Sequence, residues 1–218
     1  MEKPECLICG DISNNYNTSG VAQLYGIDVL KKAKLWESDE FLLMPAPGCI
    51  TLGYLILVPK MCLPNYASLG LNMLQKTLNI INIIRTFSKQ KGFNSYIIFE
   101  HGCLSSKTRG ASCVEHAHLH IAPSNDPDQI RLQLKNKYSE YKLHSLMELN
   151  NREWISPYVF LDVYGKSYVY DTEEIQSQFV RRILAKQWDV EAQWNWTIWP
   201  FEDNFIKTIN IYNDLVIK

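Results

Sequence analysis

No apolar run in this chain approaches the ~18 residues that a bilayer span requires. Residues 54–58, among the longest, stop at Pro59. The opening Met1-Glu2-Lys3-Pro4-Glu5 lacks the basic-then-apolar order of a secretory signal, so the cytoplasm is the expected location. Charge of one sign is also missing. The 22 Lys+Arg against 23 Asp+Glu leave a formal net charge of −1, which gives no footprint for duplex nucleic acid or an anionic membrane. A local basic pocket stays open to such a chain. No fixed-period repeat or low-complexity tract appears, which sets aside solenoids and linker arrays. Six cysteines in 218 residues, without an export signal, read poorly as a disulfide framework. What remains is 46% hydrophobic and 21% charged, a composition that packs a globular chain. The length suits one large domain, or one domain with an appendage.

The apolar patterning outlines the elements. Phe41-Leu42-Leu43-Met44 reads as a strand stopped by Pro45-Ala46-Pro47-Gly48, and residues 52–58 as a second. Residues 68–90 repeat helically, with Leu71, Leu74, Leu78, Ile81 and Ile84 on one side and Gly92 as a stop signal. Strands are expected over 96–99 and 114–121, and a polar, helical stretch over 125–149. Residues 158–163 and 167–170 form a hairpin turned at Tyr164-Gly165, followed by a helix over 176–188. The class expected is α+β, with a mainly antiparallel sheet and flanking helices. Residues 1–150 make the main domain, and 151–218 a C-terminal hairpin and helix extension packed on it.

The most informative stretch is Cys113-Val114-Glu115-His116-Ala117-His118-Leu119-His120-Ile121-Ala122-Pro123, which holds three of the five histidines. On a strand, His116, His118 and His120 share one face while Ala117, Leu119 and Ile121 take the other. A neutral imidazole can attack phosphorus or bind a metal, and an imidazolium can donate a proton. This pattern resembles the histidine-triad (HIT) superfamily. The likeness extends to Leu55-Ile56-Leu57-Val58-Pro59-Lys60, similar to that family's apolar strand ending in Pro-Lys, and to Asn65-Tyr66-Ala67-Ser68-Leu69, similar to the start of the next helix. It covers roughly residues 5–123 and implies a nucleotide hydrolase or transferase acting on a nucleotide or another phosphorylated metabolite. By the resemblance, His118 is the nucleophile that forms a phosphohistidine intermediate, and His120 contacts the phosphate or leaving group. A strand carbonyl would hold the other nitrogen of the His118 ring. The alternative is a non-catalytic nucleotide sensor on the same scaffold, and a third reading is a metal-stapled interaction domain. Pairing of two copies into a homodimer is also expected of such domains.

Cys6-x-x-Cys9 is a further motif. Some HIT-superfamily members carry an N-terminal C-x-x-C that binds zinc with a downstream histidine and the first histidine of the triad. Here Pro59-Lys60-Met61-Cys62 puts a cysteine where that downstream histidine is common, and thiolate can replace imidazole as a zinc ligand. The resemblance therefore implies a closed, structural zinc site of Cys6, Cys9, Cys62 and His116; otherwise these are ordinary thiols and His116 belongs to the phosphate pocket.

Between the third strand and the triad, Glu100-His101-Gly102 and Ser105-Ser106-Lys107-Thr108-Arg109-Gly110 offer hydroxyls and cations beside the nucleophile. Glu100, His101, Lys107, Arg109, Ser112 and Cys113 are the candidate substrate-binding residues, against a solvated loop as the plain alternative. Small HIT hydrolases commonly carry an acid that holds ribose hydroxyls; the corresponding Pro45-Ala46-Pro47-Gly48 has none. In the extension, Gln178, Arg181 and Arg182 share a helix face, read as solvated residues with reach to a second phosphate as the alternative. The tryptophans Trp194, Trp196 and Trp199 pack the extension down.

Overall fold

Every residue of Phe41-Leu42-Leu43-Met44 is apolar, so a strand made of it needs cover on both faces, and all four side chains are buried. The computed structural model describes residues 6–103, 116–150, 156–172 and 175–217. In chain order, short helices α1 (Leu7–Ser13), α2 (Gly20–Tyr25) and α3 (Ile27–Ala33) precede strands β1 (Trp36–Glu37), β2 (Phe41–Pro45) and β3 (Leu55–Pro59). The long helix α4 (Leu71–Gln90) leads to β4 (Tyr96–Gly102) and β5 (Leu119–Pro123). Helix α5 (Pro127–Lys135), β6 (Glu140–Leu143), β7 (Tyr158–Val163), β8 (Lys166–Asp171), α6 (Phe179–Gln187) and α7 (Glu202–Tyr212) complete the order. The strands form one sheet, β1-β2-β3-β5-β4-β7-β8-β6, with every described pairing antiparallel. The α+β class with a large antiparallel sheet is therefore the one expected.

Register decides what each face carries. His120 lies opposite Ile56 on one side and Phe99 on the other, and Phe99 lies opposite Leu161. Residues directly opposite share a face, so this row looks toward Ile8, Val21, Leu30, Ile130, Val180 and Leu184 from α1–α3, α5 and α6. The other face carries Leu43, Leu57, Leu119 and Phe160 and is covered by Leu74, Ile80, Ile81 and Ile84 of α4. Helix α7 serves both faces: Phe205 and Ile209 join the first core, Tyr212 the second.

Three local expectations change. Helix α4 begins at Leu71 instead of residue 68, because Asn65 caps a separate 3-10 turn, its Oδ1 accepting the Ser68 N–H at 2.9 Å. The fourth strand starts only at Leu119. Ahead of it, the Ala117 N–H donates to the Leu63 carbonyl at 2.7 Å, which draws residues 116–118 out of the ladder. The stretch 125–149 is α-helical only to Lys135; its next segment is strand β6 on the edge beside β8, followed by a 3-10 turn at Leu146–Leu149. Arg131 binds Glu140 at 2.7 Å across that change of direction, and the Tyr170 hydroxyl donates to Glu140 at 2.7 Å.

The hairpin at residues 164–165 is as read. Tyr164 and Gly165 have φ of 53° and 80°, the two positive values a tight two-residue turn requires. Strand β7 pairs with β4 from Ile97↔Val163 to Gly102↔Tyr158, so residues beyond 150 continue the sheet of the triad.

Candidate active site and metal-ligand cluster

The three triad histidines divide between two places. His118 and His120 line a partly open cleft, whereas His116 turns toward the N-terminal cysteines. The Nδ1 of His118 lies 2.6 Å from the His116 carbonyl oxygen. A carbonyl only accepts, so Nδ1 carries the proton and Nε2 is left with its lone pair. Burial pushes the His118 pKa down to about 4, so the ring is neutral near pH 7. His120 stacks on Phe99 with centroids 4.4 Å apart, and its Nδ1 lies 2.8 Å from the Tyr54 hydroxyl. Burial holds it well below the ordinary histidine range. The His118 and His120 rings meet edge-on at 4.7 Å.

The second cluster is built from local signals. Cys6 caps α1, its sulfur accepting the Cys9 N–H at 3.4 Å, so one turn of helix presents both thiols together. Cys62 arrives three residues after β3, and His116 just before β5. The ligand atoms of Cys6, Cys9, Cys62 and His116 all lie within 4.8 Å of one another and can hold a metal ion. His116 is oriented for this. Its Nε2 lies 2.7 Å from the Pro59 carbonyl, which leaves the Nδ1 lone pair 3.5 Å from each of the Cys6 and Cys9 sulfurs. Burial, followed by the neighbouring thiols, raises the Cys9 pKa far above the ordinary thiol value.

His101 also reaches the cleft. It is 9% exposed, stands edge-on to Phe99, and neither ring nitrogen has a hydrogen-bond partner among the described residues. Burial lowers its pKa to about 3. Glu100, its neighbour on β4, is not brought there. Strand alternation points it to the opposite face, where its two oxygens accept from the Tyr66 N–H at 2.7 Å and the Tyr158 hydroxyl at 2.6 Å. It is a buried organiser of the α4 side. Lys107, Arg109, Ser112 and Cys113 lie outside the described residues.

Two further elements complete the cleft. Helix α1 contributes Leu7, Ile8 and Asp11, and the C-terminal segment contributes Gln178, Arg181 and Trp196. Asp11 is 2% exposed; its Oδ1 accepts from Ser19 Oγ at 2.5 Å and the Val21 N–H at 2.9 Å. Burial raises its pKa to about 6. Arg181, read from sequence as a solvated helix residue, is 4% exposed. The helix face expected to unite Gln178, Arg181 and Arg182 splits. Arg182 stacks on Trp194, its guanidinium 3.2 Å from the ring centroid, and leaves the cleft to the other two. The periodicity of α6 held the signal for a buried arginine, since Arg181 sits between Val180 and Ile183-Leu184, which all pack inward.

No family model matches the sequence, and no curated protein does. Solved structures similar to it include a hypothetical histidine-triad nucleotide-binding protein from Sulfolobus tokodaii, at 16% identity and a TM-score of 0.39 over 54% of this chain and 68% of that one. A HIT family hydrolase from Clostridium thermocellum gives 13% identity and 0.39, over 57% and 95%. A Hit-like protein involved in cell-cycle regulation from Bartonella henselae gives 14% and 0.35, over 46% and 74%. Among the described residues, no helix is long and apolar enough to cross a membrane.

Proposed function

We propose that this chain is a HIT-like enzyme that transfers or hydrolyses the phosphoryl group of a nucleotide or related phosphorylated metabolite through a covalent intermediate on His118. The observation that carries the reading is the bond from His118 Nδ1 to the His116 carbonyl. It fixes the tautomer, so the unprotonated Nε2 is the nucleophile without prior loss of a proton. Nε2 forms a bond to phosphorus as the bond from phosphorus to the leaving oxygen breaks, and the leaving oxygen departs with that electron pair. The positive charge gained by the ring is met by the carbonyl at Nδ1. In a hydrolase, water then breaks the N–P bond; in a transferase, the oxygen of a second phosphorylated substrate does. His120, held by Tyr54 and Phe99, faces the phosphate or leaving group. His101 offers one donor and one acceptor to the substrate.

The cysteine–histidine cluster fits zinc. With Zn–S of about 2.3 Å and Zn–N of about 2.0–2.1 Å, tetrahedral geometry separates sulfur and nitrogen by roughly 3.5 Å, the spacing of His116 Nδ1 from Cys6 and Cys9. Four protein donors fill a tetrahedral shell, so the ion would organise structure instead of binding substrate. Cys6, Cys9, Cys62 and His116 would hold it, tying α1, a wall of the cleft, to the segment that carries His118.

The test is rapid quench, in alkaline detergent that preserves an N–P bond, of the protein mixed with nucleotides, nucleoside phosphoramidates and nucleotide sugars radiolabelled in the transferred phosphate. An acid-labile phosphoprotein whose label maps to His118 is the expected result. A chain that binds nucleotide, turns nothing over and never becomes labelled is a sensor, and the enzymatic reading is then wrong.

A further inference from the structure

A guanidinium is always charged, and burying one without an anion beside it is costly. Arg181 is 4% exposed and makes no ion pair among the described residues. Its partners are neutral. Nη2 donates to the Gly48 carbonyl at 2.7 Å and Nε to the Trp194 carbonyl at 3.2 Å, and the fork lies 5.4 Å from the Tyr54 ring centroid. Those contacts aim the group without neutralising it. Gly48 has φ +65°, and a Cβ there would meet Trp196 and the Arg181 Nη2, so the backbone is bared where the guanidinium docks. The same side chain lines the cleft with His118, His120 and His101.

The helix that carries it adds to the field. Arg181 lies in the first turn of α6, whose N-cap Gln178 also lines the cleft and makes no side-chain capping bond. The positive end of the helix dipole thus lies at the cleft that receives the guanidinium. Asp11, the acidic residue of the same lining, has its Oδ1 committed to Ser19 and Val21.

From this placement we infer that Arg181 and the start of α6 form an oxyanion-binding subsite for a phosphate group of the substrate, supplied by the C-terminal segment and not by the histidine motif. The inference rests on the proposed phosphoryl chemistry for its setting. It makes a separate claim about binding: the cleft holds a phosphate oxyanion whether or not His118 reacts. An arginine fork suits this because it donates several parallel N–H bonds to a tetrahedral oxyanion.

The experiment is calorimetric titration of inorganic phosphate into the purified, metal-loaded protein and its Arg181→Gln and Arg181→Lys variants. Phosphate should bind the unaltered protein. Arg181→Gln should weaken binding by roughly ten- to a hundredfold, the loss expected for removing a charge-assisted hydrogen bond, and Arg181→Lys should lose less. Absence of phosphate binding by the unaltered protein, or binding by Arg181→Gln within twofold of it, overturns the subsite. Should Arg181→Gln not fold, tungstate soaked into crystals of the unaltered chain decides: a peak within hydrogen-bond reach of Arg181 is expected, and no peak there overturns the inference. Missing label on His118 with intact, Arg181-dependent phosphate binding would refute the catalytic reading and leave the subsite standing.

Discussion

Cys6 and His116 are 110 residues apart in the chain, yet the Cys6 sulfur lies 3.5 Å from His116 Nδ1. Through that approach the N-terminal helix becomes a wall of the cleft, with Ile8 and Asp11 beside His118. A bound ion would hold the wall in place, because metal binding to a folded ligand set adds directly to folding free energy.

Metal removal should therefore destabilise the whole molecule. Purified protein is expected to contain one equivalent of zinc, and Cys9→Ser to contain much less. At a thousandfold excess of metal over its dissociation constant the linkage is about 4 kcal/mol. For a chain of this size that corresponds to roughly 10 °C in Tm. Elemental analysis with thermal unfolding checks both. A metal-free wild type, or a Tm that chelation does not move, rejects the site.

His118→Ala removes the reacting nitrogen while leaving a side chain that sits at the cleft, not in the core. Turnover is expected to fall by at least about a thousandfold, with a thermal midpoint close to that of the parent. Steady-state rates beside a melting curve separate the two effects, and residual activity within tenfold of the parent would count against the nucleophile.

His101→Leu tests a buried imidazole with no described partner. Because replacing such a polar group by an apolar one of similar size is neutral or favourable, stability should hold or rise by about 1 kcal/mol. Catalytic efficiency should nevertheless fall by roughly tenfold or more, since His101 lines the cleft with His118 and His120. Equal activity in the two proteins would assign His101 to packing alone.

Glu100 links stability to pH. Burial raises its pKa from 4.5 to about 8, so between those values the folded state holds a proton that the unfolded chain has released. Stability from this group is full below about pH 4.5 and is lost as pH rises through 8. Glu100→Gln, which cannot ionise, should flatten that decline in urea unfolding measured at pH 5 and pH 8. Glu100→Ala should cost about 2–3 kcal/mol at pH 5, because it leaves the Tyr66 N–H and the Tyr158 hydroxyl without their buried acceptor. A decline of unchanged slope in Glu100→Gln would place the pH sensitivity elsewhere.

The elements most legible in the sequence were those encoded within a few residues. Tyr164-Gly165 between two apolar runs specified the hairpin, and the helical repeat through Leu74, Ile81 and Ile84 specified α4. Helices α1–α3 and α7 and strands β1 and β6 were not read. They are short or mixed in polarity, and their apolar residues find cover only from distant parts of the chain: Val21 and Leu30 pack in one core with Phe205 and Ile209. Strand β6 looks helical in the sequence because Glu140 and Lys142 look solvated; its ladder with β8 and the bonds of Glu140 to Arg131 and Tyr170 hold it at the edge.

The sequence by itself determined the histidine row, the Cys6-x-x-Cys9 pair, the cysteine after Pro59 and the antiparallel class, because spacing and alternation are local properties that any fold must respect. Tertiary structure alone decided that His116 parts from His118, that of the neighbours Glu100 and His101 it is His101 that faces the cleft side of the sheet, and that Arg181 lines the cleft while Arg182 lies on Trp194. Those outcomes hang on sheet register and on contacts between segments up to more than a hundred residues apart, where a shift of one position exchanges the face that every side chain presents.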